Sequence, residues 1–142
     1  MATTYATEAA YLDPAGAVRS GDAQRTNGRI IPVVATITLA AQANGDIVVL
    51  GKTPVGGRFI GGRITASATL GSATVKIGPA SSDAAYRAAA TFTTANVPTT
   101  FGPAAALAGA TVTADEEIHL TVGAAALPAS GVLSVICFFQ GI

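Results

Sequence analysis

The chain has no tryptophan, one cysteine, one histidine and one methionine. A lone cysteine, Cys137, excludes an intrachain disulfide and identifies no redox compartment. It stands in an apolar run and reads as a buried, inert thiol. The lone histidine, His119, follows Asp115, Glu116 and Glu117, a grouping that could in principle ligate a metal. Successive acidic residues at a strand entrance read more simply as a solvated turn, and neither metal nor cofactor is expected. Charge is scarce as well: Asp, Glu, Lys and Arg make up 11% of the residues, against roughly 25% in an ordinary soluble domain.

Eight basic and eight acidic residues are spread thinly and cancel. Without clustered Lys and Arg there is no electrostatic footprint for nucleic acid. A monomer in water normally needs more charge than this to cover its surface. Either the surface is neutral and rich in Thr, Ser and Ala, or much of it is buried against other chains; we take the second reading. The N-terminal stretch carries Glu8 and Asp13 and lacks an apolar h-region, so it is not a signal peptide. Two runs are free of charge, residues 88–114 and 120–142. The first is too rich in Thr, Pro and Gly to span a membrane as a helix. The second has spanning length, but Gly123, Pro128 and Gly131 break it and no basic residue flanks it. It reads as strand, turn, strand, and no membrane association is expected.

What is present is β pattern. With 142 residues the chain fits one domain with a real core, and no segment shows a sustained helical period. Residues 1–28 differ from the rest: they are Ala-rich and polar, with turn signals at Asp13-Pro14 and Ser20-Gly21. A disordered tail and an extended arm across a neighbouring subunit both fit this composition. We read an arm, residues 1–28, preceding a β-sandwich domain, residues 29–142. Tyr5, Tyr11 and Leu12 are the anchors such an arm would insert into a partner surface.

Residues 30–39 (IIPVVATITL) are rich in β-branched side chains, and Pro32 marks a first or edge strand. Residues 44–78 then read as strand, turn, strand, turn, strand, and are expected to form the organising sheet. The Asn44-Gly45 turn leads into residues 46–50 (DIVVL). In residues 58–68 the alternation puts Ile60, Gly62, Ile64, Ala66 and Ala68 on one face and Phe59, Gly61, Arg63, Thr65 and Ser67 on the other. Gly71-Ser72 turns the chain into a strand with Val75 and Ile77 inward and Thr74 and Lys76 outward. The middle is harder to read: Tyr86-Arg87 and residues 91–93 are candidate short strands, and residues 98–102 a loop. Later, Ile118, Leu120 and Val122 alternate with His119 and Thr121. Residues 132–139 (VLSVICFF) are apolar on both faces, so this strand should be central or covered. Short strands at turn-punctuated spacing indicate an all-β, antiparallel β-sandwich, jelly-roll-like.

No chemical constellation emerges. Gly51-Lys52-Thr53 looks like the end of a phosphate loop, but five residues separate Gly45 from Gly51 where the motif requires four. We read it as a turn. The pairs Gly56-Gly57 and Gly61-Gly62 lack dinucleotide spacing; glycine inside a strand marks a bulge or close backbone approach. There is no GxSxG elbow, and no enzyme activity is expected. Arg58, Arg63 and Arg87 are candidate partner-binding residues, able to pair across subunits with Asp83 or the acidic group at 115–117.

Three stretches carry a family resemblance: ATITLAAQANGDIVVLGKTPVGGRFIGGRITASATLGSATVKIG, YRAAATFTTANVPTTFG and DEEIHLTVGAAALPASGVLSVICFF. They resemble the capsid decoration (cement) and minor head proteins of tailed bacteriophages, over roughly residues 35–139. The resemblance implies a β-sandwich on the outer capsid surface of the virion, made in the host cytoplasm. It further implies a homotrimer that binds the major capsid protein and stabilises the shell. A neck, tail or fibre-base position is the alternative within the virion. A glycan-binding sandwich is a second alternative, with little support because aromatics are 6% of residues.

Overall fold

The computed structural model describes residues 29–109 and 111–141. The residues proposed as an arm, Tyr5, Tyr11 and Leu12 among them, lie outside the described part. Eight strands and one helical turn follow in order: β1 (Ile30–Thr38), β2 (Ile47–Lys52), β3 (Arg58–Ala66), β4 (Thr74–Pro79), β5 (Arg87–Thr91), β6 (Thr99–Phe101), α1 (Ala104–Leu107), β7 (Glu117–Gly123) and β8 (Val132–Gln140). They form two four-stranded sheets, ordered β1-β8-β3-β6 and β2-β7-β4-β5. Every pairing is antiparallel, and the fold is a β-sandwich. The pairs are nested: β1 lies on β8, β2 on β7, β3 on β6 and β4 on β5.

Strand alternation builds the core as the side-chain pattern requires. β8 sends Leu133, Val135, Cys137 and Phe139 inward, and β7 sends Ile118, Leu120 and Val122 to meet them. Val75 and Ile77 of β4 complete this central layer. At one end the core is aromatic. Tyr86 stacks on Phe59 with ring centroids 4.0 Å apart, and both rings meet Phe139 edge-on. β8 is central in its sheet, between β1 and β3, which agrees with its apolar residues on both faces.

Four expectations are corrected. First, residues 44–78 do not form an organising sheet: β2 and β4 belong to one sheet and β3 to the other, and none of the three pairs with another. The Asn44-Gly45 turn carries the chain between layers, closed by Asp46, whose Oδ2 accepts from the Ala43 N–H at 2.8 Å. Second, Phe59 faces the core. In β3 Phe59 lies opposite Phe139 and Gly61 opposite Phe138, so Ile60 is an extra residue and the alternation slips by one. Gly61 sits at this bulge with φ +137°, a conformation that favours glycine. Third, Gly51-Lys52 ends β2 and is not a turn. Thr53 beside it is buried, its hydroxyl donating to Ala114 O at 3.0 Å and accepting from the Glu116 N–H at 3.0 Å. Fourth, residues 99–101, read as loop, form edge strand β6. Its Phe101 pairs with Gly62 and fills the space that glycine leaves.

Candidate functional site

The two sheets differ in the chemistry they turn outward. The strands of the second sheet carry Lys52, Lys76, Arg87, Glu117 and His119. Ion pairs join Lys52 to Asp115 at 3.5 Å and Lys76 to Asp83 at 2.8 Å, and His119 Nε2 lies within hydrogen-bond distance of Glu117 Oε2 at 2.9 Å. Ile47 and Val49 are exposed on β2, but Val49 lies beside His119 within this charged array. The strands of the first sheet hold two charged residues, Arg58 and Arg63, and Arg58 is buried.

On the outer face of the first sheet, registers bring apolar side chains together. Pro32 lies opposite Phe138 and Val34 opposite Ile136. Phe138 then neighbours Gly61, and Ile136 neighbours Arg63. Ile30 and Val34 are 60% and 61% exposed. The opposite end of the same face is hydroxylic apart from the exposed Val132, with Thr36 beside Ser134 and Ser134 beside Thr65. An apolar half-face bordered by one guanidinium is the composition of a contact surface, with its fully desolvatable centre and polar margin.

The apolar half-face runs into a hollow of about 530 Å³ beside β3. Ile60, Arg63 and Phe138 bound it on the sheet side, and Thr100, Pro103 and Leu107 on the other. The bulge shapes it: with Ile60 as the extra residue, Gly61 comes opposite Phe138 on the outer face and leaves the floor bare. A Cβ on Gly62 would lie 2.2 Å from the Phe101 ring, so the glycine sets where β6 and the hollow's wall can stand.

The three arginines singled out from the sequence fare differently. The Arg58 guanidinium donates to Leu107 O at 2.7 Å and helps hold α1 against β3. Arg87 donates to Val75 O, to Ala90 O at 3.1 Å and to Thr91 O at 3.3 Å, clasping β4 to β5. Burial lowers its pKa from the ordinary value, and three carbonyl acceptors compensate the desolvated charge. Both side chains make these bonds within their own chain. Arg63 of the three is exposed, and no carboxylate of the described residues lies within ion-pair distance of it. The acids proposed as partners are engaged locally: Glu116 accepts from the Ser81 N–H at 3.0 Å, and hydrogen bonding by Ser81, from its side chain first and its backbone second, lowers the carboxyl pKa. Sequence reasoning missed Ile30, Pro32, Val34, Ile136 and Phe138 as surface residues. The two-faced apolarity of residues 132–139 was the available signal.

Among the described residues no three His, Cys, Asp or Glu side chains come together as a metal group, and no helix is long and apolar enough to cross a membrane. No protein-family model and no curated protein sequence matches the chain. Solved structures do. A chain of the cyanophage Pam1 capsid asymmetric unit superposes with a TM-score of 0.67 at 16% identity, over 100% of both chains. A chain in the capsid of Ralstonia phage GP4 matches with a TM-score of 0.65 at 20% identity, over 81% of this chain and 86% of that one. A chain of the acidic stable capsid of Helicobacter pylori bacteriophage KHP30 gives a TM-score of 0.57 at 11% identity, over 80% and 89%. At these identities the likeness is one of fold: this sandwich is also built by chains of three phage capsids.

Proposed function

We propose that this protein is a non-enzymatic phage virion structural protein, a capsid decoration (cement) protein that binds the outer head surface. Its partner is the major capsid protein, and its working state a homotrimer. The observation that carries this reading is the apolar outer half-face of the first sheet, on a fold shared with phage capsid chains. The nested strand pairing supports reading the sandwich as a jelly roll, whose two faces are free for lateral and basal contacts. Burying Ile30, Pro32, Val34, Ile136 and Phe138 against coat subunits would contribute about 1–3 kcal/mol per large side chain before ordering costs. Many symmetric copies multiply a weak single contact into a stable shell. Residues 1–28 act as a second attachment, and residues 29–142 as the folded unit.

The test is reconstitution on heads stripped of this protein. Val34→Glu places a charge at the centre of the half-face and should reduce occupancy at least tenfold, with the melting temperature nearly unchanged because the side chain is exposed. Val49→Glu, on the second sheet, should bind as the wild type does. Equal loss at both positions, or at neither, contradicts docking through the first sheet.

A further inference from the structure

The hollow beside β3 has a chemistry that the capsid-binding face does not require. It combines a bare glycine floor, apolar and aromatic walls, and a single exposed guanidinium, Arg63, at its rim. A fitting occupant brings an aromatic ring with a carboxylate about two residues away. Residues 11–13 of this same chain, Tyr-Leu-Asp, have that composition. Pro14 follows and biases Asp13 toward extended backbone. In an extended run, side chains two positions apart point the same way, about 7 Å from each other, so Tyr11 and Asp13 would face the hollow together. Residues 1–18 contain Glu8 and Asp13 and no Lys or Arg, so the stretch is complementary to Arg63 in sign.

The tether favours the chain's own segment over that of another copy. The Gly141 N–H donates to Arg29 O at 2.7 Å and fixes where the segment leaves the fold. Ile30 is in register with Gln140, and Gln140 with Arg58, which places this exit at the same end of the sheet as the hollow. Two or three strand spacings separate them, about 10–15 Å. The residues between Asp13 and Arg29 can span about 50 Å when extended. A tether of that reach gives an effective concentration of millimolar order, well above the micromolar concentration of the free protein.

We propose that in the free protein residues 11–13 dock in the hollow of their own chain, with Tyr11 over Gly61 and Asp13 on Arg63. This inference stands apart from the capsid-binding reading and needs no virion partner. Its test uses the full-length chain, in which Cys137 is buried and its thiol is pushed up to about 12, giving a quiet background for engineered cysteines. Ala10→Cys combined with Thr100→Cys, at the hollow's wall, should oxidise rapidly to an internal disulfide, seen as a faster-migrating monomer on a non-reducing gel. Ala10→Cys combined with Val49→Cys, on the opposite sheet, should form that bond at least tenfold more slowly. In the Ala10→Cys, Thr100→Cys background, Tyr11→Ala or Arg63→Glu should each slow linkage about tenfold, and adding Asp13→Arg to Arg63→Glu should restore it. Equal rates at Thr100 and Val49, linkage between chains in place of within them, or indifference to Arg63→Glu would overturn the proposal.

Discussion

Cys137 and Tyr86 are the residues whose chemistry the core alters most. Both side chains are buried, and burial disfavours the charged form of each. The Cys137 thiol is raised from 9.0 to about 12 by desolvation. The Tyr86 phenol is raised from 10.0 to about 12, by desolvation first and by the neighbouring Cys137 and Glu116 second. The sign follows from linkage: a group that holds its proton more tightly when folded contributes stability below its unfolded pKa. That contribution is lost as pH rises toward the folded value. Between pH 9 and 10 the unfolded thiol ionises and the folded one does not, so Cys137 should erode stability by approaching about 1.4 kcal/mol per pH unit. Urea unfolding from pH 7 to 11 checks this. The gap between wild type and Cys137→Ala should narrow above pH 9, and a constant gap would mean that the thiol is not held neutral. The prediction from sequence of a buried inert thiol agrees with this placement. The burial of Phe59 was not legible, because a single bulge residue reverses the facing of everything before it and leaves no mark in a two-residue period.

At the scale of elements, β6 illustrates how a strand with almost no sequence signal is secured. It has three residues, Thr-Thr-Phe, and pairs only across Gly62, Arg63 and Ile64 of β3. Phe101 holds it: the ring packs over Gly62, and its centroid lies 6.4 Å from that of Phe59. Gly62→Ala should therefore cost about 1–3 kcal/mol through overpacking, and the same substitution in a Phe101→Ala background should cost much less. A double-mutant cycle by chemical denaturation measures the coupling; additive effects would show that the ring and the glycine do not share one space. Strands with strong alternation, β4, β7 and β8, were readable because each has one buried face and one outer face. The grouping of strands into sheets was not, because local pattern reports which residues face inward and says nothing of which strand lies alongside. Hence residues 44–78, contiguous in sequence, divide between the layers. The candidate site was half legible for the same reason: the apolarity of β8 on both faces was visible, but its alignment with Pro32 and Val34 comes from the registers.

For the whole molecule, low charge and its uneven placement belong together. Of the two sheets, one gathers the ion pairs, and the other turns outward an apolar half-face marked by Arg63. A surface arranged in this way is what the proposed place between other subunits would use, and the fold is one that chains of three phage capsids also build. The most direct measurement is a cryo-EM map of the particle that carries this protein, at a resolution that orients the sandwich. The account predicts copies on the outer head surface, with Ile30, Val34 and Phe138 of each buried against coat subunits and the ion-paired second sheet toward solvent. Density confined to the neck or tail, or a head position with the first sheet facing solvent, would contradict it.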